Sequence, residues 1–142
     1  MKKLLVFITV PFFSFAQDFN SALNFHNTIR GYHDLKPLTI DEELTDIAYN
    51  RVRIIAEADE IAFTNDSLGE SVFFTDYKTI SRDYFLEASI AFTIENYNDV
   101  TLKQLLCKDC ESIGFGISVT DEKIWVVIKY DKVYEEKQTK VK

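Results

Sequence analysis

A chain of 142 residues with 23 acidic and 16 basic side chains carries a formal net charge of −7, and 46% of it is hydrophobic. That length suits one domain with a real core. The acidic balance, without clustered Lys or Arg, excludes a surface that tracks phosphates, so no nucleic-acid partner is expected.

The opening MKKLLVFITVPFFSFAQ has a basic start at Lys2 and Lys3, an apolar stretch from Leu4 to Phe13, and a small-x-small site at Ser14-Phe15-Ala16. It reads as a signal peptide, residues 1–16, cut after Ala16. Pro11 interrupts the apolar core, which falls well short of the roughly 20 residues a membrane-spanning helix needs. No transmembrane segment is expected elsewhere, and no cysteine follows the cleavage site to take a bacterial lipid anchor. Loss of two lysines and no acid would move the formal charge from −7 to −9. The mature chain then divides into a domain at 17–134 and a flexible C-terminal tail at 135–142.

Helical spacing of Phe19, Ala22, Leu23, His26, Ile29, Arg30 and His33 predicts a helix over Asp18–His33, with Asp18 as its cap. Pro37 ends that pattern. A second helix is predicted from about Ile40 to Ala58. Thr39 and Glu42 stand at capping-box spacing, and Leu44, Ile47, Ala48, Ile55 and Ala58 form its apolar stripe. Ile61 to Asp66 is a connection, and Val72, Phe73 and Phe74 favour a strand over Glu70–Thr75. Ser81–Tyr97 reads as a largely buried third helix, and Thr101–Leu106 as a short fourth.

In SIGFGISV, Ile113, Phe115, Ile117 and Val119 alternate with Ser112, Gly114, Gly116 and Ser118, a strict period of two whose small face admits close packing. IWVVIKY, after a turn, is continuous enough for a central strand covered on both faces. Helices flanking a small sheet make an α+β fold.

Cys107 and Cys110 lie in CKDC. In an oxidising compartment such a pair forms a disulfide. The alternative, a thioredoxin-like redox pair, wants its first cysteine at a helix N-terminus after a strand, whereas Cys107 falls at a helix end. A zinc site lacks two further soft ligands nearby.

LNFHNTIRGYHDLKPLTIDEELTDIA, with His26, Asn27, Arg30 and His33, resembles the opening of CAP-superfamily domains, the group of cysteine-rich secretory proteins, antigen 5 and plant pathogenesis-related proteins. Gly69-Glu70-Ser71 resembles that family's Gly-Glu-Asn, QLLCKDCESIGFGIS its Gln-Leu-Val-Trp-Lys run and Ile-Gly-x-Gly strand, and IWVVIKY its closing strand. The order and spacing agree from about Phe19 to Lys132. The resemblance implies a three-layer α-β-α sandwich.

It also implies a central cleft, which in the family commonly holds two histidines and two glutamates able in some members to take a divalent metal. Only Glu70 is retained here. The other positions align with Asn65, Thr93 and Thr101, so three of the four have lost their ligand chemistry. One carboxylate with hydroxyls and an amide is a poor cage for any ion but weakly held calcium. No metal or other cofactor is expected.

Acid–base chemistry by a carboxylate pair is not expected either, because Glu70 has no evident partner; hydrogen bonds from backbone or Thr/Asn groups would hold it. His26 and His33 lie seven residues apart, about 10 Å along a helix, too far to share a metal. They match the family's first-helix pattern and are expected to pack and hydrogen-bond. No nucleophile turn of the G-x-S-x-G type is present. Asn65-Asp66-Ser67 is a glycosylation sequon, accidental if the source is bacterial.

The expected function is that of a non-enzymatic CAP-like binding or interaction module. It would be secreted, or periplasmic in a Gram-negative host. Family likeness suggests a sterol, a fatty acid or a protein as partner; the alternatives are a secreted hydrolase or a CxxC redox protein.

Overall fold

The alternating strand and the continuous one meet at the centre of the sheet. The structure, a computed structural model, describes residues 13–64, 66–76 and 103–134. The first 12 residues of the predicted signal peptide, the predicted third helix, the start of the predicted fourth, Asn65, Thr93, Thr101 and the predicted tail from 135 lie outside the described residues.

In chain order the elements are α1 (Phe13–Tyr32), β1 (Thr39–Ile40), α2 (Glu42–Ala58), β2 (Gly69–Asp76), β3 (Ser112–Val119) and β4 (Lys123–Tyr130). The sheet order is β1-β3-β4-β2. β4 pairs antiparallel with both β3 and β2, and β1 adds to β3 in parallel. The continuous apolar run is therefore central, as its sequence predicts.

β4 carries one apolar face toward each side. Ile124, Val126, Ile128 and Tyr130 join Phe73, Ile113, Phe115 and Ile117 in a cluster that also contains Ala22 of α1. Trp125 and Val127 join Val72 and, from α2, Ala48, Val52 and Ile55. Phe19 of α1 stacks on Phe115 with ring centroids 5.8 Å apart. Helix, sheet and helix form the three layers of an α+β sandwich.

The small face of β3 meets α2. A Cβ on Gly114 would lie 2.3 Å from the Leu44 carbonyl carbon, and one on Gly116 2.3 Å from the Ala48 carbonyl oxygen. These glycines set the depth at which α2 beds onto the sheet.

Two predicted helix starts are corrected. α1 begins at Phe13 and runs through Asp18, which is no cap; nothing between Phe13 and Asp18 is a Pro or Gly that would stop the helix earlier. α2 begins at Glu42, and its cap is Asp41, whose carboxylate accepts from the Leu44 N–H at 2.9 Å. Thr39 and Ile40 instead extend the sheet as β1, because their backbone pairs with Ser112 and Ile113.

Both helices close on an aspartate in the left-handed region, Asp34 (φ 56°) and Asp59 (φ 51°). Leu35 N–H reaches back to the Arg30 carbonyl and Glu60 N–H to that of Ile55, so each ends in a Schellman-type turn.

Candidate functional site

The first-helix pattern serves as scaffold. Asn27 presents its side-chain amide to Leu38 as a second backbone would: Nδ2 donates to the Leu38 carbonyl at 3.0 Å, and the Leu38 N–H donates to Oδ1 at 2.7 Å. This fixes the connection through Pro37. His26 is fully buried, with Nδ1 2.9 Å from the Ala22 carbonyl and Nε2 2.9 Å from the Tyr130 hydroxyl. Burial is the main cause that lowers its pKa to about 4; the Ala22 carbonyl opposes this and the Arg30 charge adds to it. His33 lies exposed beyond the end of α1, so the structure does not bring the two histidines together.

Arg30 is buried, and among the described residues no carboxylate is hydrogen-bonded to it. Its Nε donates to the Lys36 carbonyl at 2.8 Å, one terminal nitrogen to those of Leu105 (2.9 Å) and Cys107 (2.8 Å), and the other to that of Cys110 (3.4 Å). The CKDC turn is thus wrapped around a guanidinium, whose rigid fork suits several carbonyls at fixed angles.

Cys107 and Cys110 form a disulfide, with Cα atoms 5.4 Å apart, and both residues are buried to 2% exposure. They follow a helical turn at 103–105 rather than opening a helix. The neighbouring Gln104 donates to the Lys132 carbonyl at 2.8 Å and accepts from the Tyr134 N–H at 3.0 Å, so the same turn fastens the chain leaving β4.

Glu70 stands on the α2 face of β2, directly across the ladder from Lys129 of β4. Its Oε1 accepts from Arg51 Nε of α2 at 3.1 Å and lies 3.3 Å from Lys129 Nζ. Its Oε2 accepts from the Thr64 N–H at 2.9 Å and from the Thr64 hydroxyl at 3.1 Å. The side chain is 5% exposed and that of Lys129 fully buried.

Burial raises the Glu70 pKa, but the Thr64 N–H and the Arg51 and Lys129 charges together outweigh it and hold the carboxyl below its ordinary value. Asp66 completes the cluster. Its Oδ2 is 3.2 Å from Lys129 Nζ, and its pKa is lowered because the Leu68 N–H and Lys129 outweigh burial.

The expected hydrogen bonds from a threonine and a backbone N–H are present, and two cations that the sequence reading did not anticipate, Arg51 and Lys129, join them. Sequence reading missed Arg51 and Lys129. One signal was available: Lys129 is the only cation inside the run IWVVI-K-Y, and Glu70 the only charge in GESVFF. Two lone opposite charges in apolar strands are candidates for each other, since neither is tolerable buried alone.

The divalent cation that the resemblance implies can be tested against these side chains. Zinc favours imidazole or thiolate in a tetrahedron, and calcium six to eight oxygens. Among the described residues, no three His, Cys, Asp or Glu side chains come together to hold a metal ion. The two carboxylates here already accept from the chain's own cations, with an ammonium between them. This set does not fit a divalent ion.

A two-faced sandwich with α1 and α2 on opposite sides of a β1-β3-β4-β2 sheet, a Gly-Glu pair opening β2, is the architecture of a CAP domain. The chain belongs to the cysteine-rich secretory protein family, CAP, which it matches over residues 23–130.

Among solved structures it is similar to NaASP2, solved with Zn2+, over 84% of each chain with a TM-score of 0.61 and 14% identity. It is also similar to an outer surface protein of Borrelia burgdorferi (TM-score 0.61, 17% identity, 82% of this chain and 93% of that one). A third likeness is to venom allergen-like protein 4 of Schistosoma mansoni (TM-score 0.55, 21% identity, 83% and 94%). At these identities the likeness is one of fold. No curated protein matches the chain in sequence. Among the described residues, no helix is long and apolar enough to cross a membrane.

Proposed function

We propose that this chain is an exported CAP domain that acts as a binding or interaction module and has no catalytic machinery. One observation carries the reading. The single acid retained from the family's cleft has both oxygens engaged, by Arg51 and Lys129 on one side and by Thr64 on the other. A general base needs a carboxylate with a free lone pair facing substrate and a pKa near the working pH; Glu70 is held in the opposite direction. Its cleft is a degenerate metal site.

Export is supported by the signal-like opening and by likeness to an outer surface protein. The partner class is a small apolar molecule, a sterol or fatty acid, or a protein. The redox alternative is weakened by the burial of both cysteines, since exchange requires a thiolate or disulfide that a partner can reach. Native mass spectrometry of protein purified from its own source tests the reading. A retained apolar ligand or a bound protein supports it. Turnover of an ester or peptide substrate that is abolished by Glu70→Gln overturns it.

A further inference from the structure

We propose that the Lys129 ammonium is the resident cation of this site, a covalently tethered charge standing where an oxygen-lined pocket would otherwise recruit a metal ion. An ammonium has three N–H donors and no acceptor. Three oxygens surround Lys129 Nζ: Thr64 Oγ1 at 2.8 Å, Asp66 Oδ2 at 3.2 Å and Glu70 Oε1 at 3.3 Å. They come from the connection between α2 and β2 and from β2 itself, while the lysine comes from β4. The ammonium therefore gathers separate segments, as a structural ion does.

The charges around it close. Among the described residues Lys129 and Arg51 face Glu70 and Asp66, two of each sign, and the Thr64 hydroxyl donates to Glu70 while accepting from Lys129. A fully buried ammonium is tolerable only when paired and hydrogen-bonded. Here every donor has an oxygen. A divalent ion entering this cluster would meet no net negative charge from these four side chains and would have to expel the lysine. The consequence is a connection through Thr64 and Asp66 that is pinned without metal. This goes beyond the binding-module reading, because a retained ligand, or its lack, leaves the cluster unchanged.

The test uses the full chain with Zn2+ or Ca2+ alone, reading melting temperature and metal content after dialysis. The wild type should show no shift up to ~1 mM of either ion and none on chelation. Lys129→Arg should keep most of the melting temperature. Lys129→Ala should melt lower and be partly restored by millimolar Ca2+ or ethylammonium, the restoration vanishing when Glu70→Gln is added.

Stoichiometric zinc in the wild type that is lost with Glu70→Gln overturns the proposal. So does a Lys129→Ala protein that melts with the wild type, or one that neither cation restores. If Lys129→Ala does not fold, the wild-type titration and Lys129→Arg decide.

Discussion

His26 of α1 and Tyr130 of β4 are tied by a 2.9 Å hydrogen bond through the middle of the larger core cluster. The other ring nitrogen faces the Ala22 carbonyl, which can only accept, so Nδ1 carries the proton and Nε2 accepts from the Tyr130 O–H. A neutral imidazole is thus built into the fold. Protonation would set an N–H against the hydroxyl in a dry site, which is why burial dominates the shift to about 4.

The pH dependence follows from that shift. The unfolded imidazole takes up its proton near 6.5, whereas the folded one waits until about 4. Between those values the unfolded state binds more protons, so stability is full above the unfolded value and falls as pH drops through the window. The loss is up to about 3 kcal/mol. His26→Gln, which does not titrate, should be less stable at pH 7 but flatter between pH 6.5 and 4. Urea unfolding midpoints at pH 7 and pH 5 in both proteins check this; equal slopes would refute it.

Arg30→Lys tests the carbonyl cage. A lysine keeps the charge but radiates its donors from one atom, so it cannot reach the Lys36 and Cys110 carbonyls together. Hydrogen bonds from charged groups are worth about 1.5–3 kcal/mol each, and the substitution should cost about 3 kcal/mol in denaturant unfolding. Because the CKDC turn loses its anchor, reductant followed by alkylation should label Cys107 and Cys110 faster than in the wild type. Unchanged labelling would show that the turn stands without Arg30.

Gly116→Ala and Gly31→Ala make a matched pair. The first forces a methyl against the Ala48 carbonyl of α2, where backbone must move; overpacking of this kind costs about 1–3 kcal/mol or more. The second lies on α1 with nothing within 4 Å, and should be neutral or stabilise by up to about 1 kcal/mol. The melting temperature should therefore fall for Gly116→Ala and hold or rise for Gly31→Ala. A Gly116→Ala protein that melts with the wild type would mean α2 can lift off β3 freely.

How far the sequence could be read depended on range. The alternation in Ser112–Val119 and the run at Ile124–Tyr130 were legible because a strand writes its two faces into adjacent positions. The first-helix pattern was legible as scaffold, down to the packing and hydrogen bonding of His26; the partners of Asn27 and Arg30 were not, and His33, expected to pack, lies exposed because it falls past the last turn of α1. Helix starts were not. Thr39 had the right spacing for a cap, but a backbone pairing with Ser112, distant in sequence, claimed it for the sheet and left the cap to Asp41. The candidate site was half legible: Glu70 stood out, and so did its need for hydrogen bonds, but not its two cations.

By itself, the order of residues determined an acidic α+β domain of the CAP family, with a central apolar strand, a glycine-stepped neighbour and a lone acid in a Gly-Glu-Ser segment. Each of these is a local pattern, or a set of local patterns at fixed spacing. Only the tertiary structure decided that Glu70 faces Lys129, that Arg51 reaches Glu70 from α2, and that the CKDC turn closes over Arg30. Those pairings depend on strand register and helix placement, which are set by contacts between segments far apart in the chain, and no window of sequence contains them.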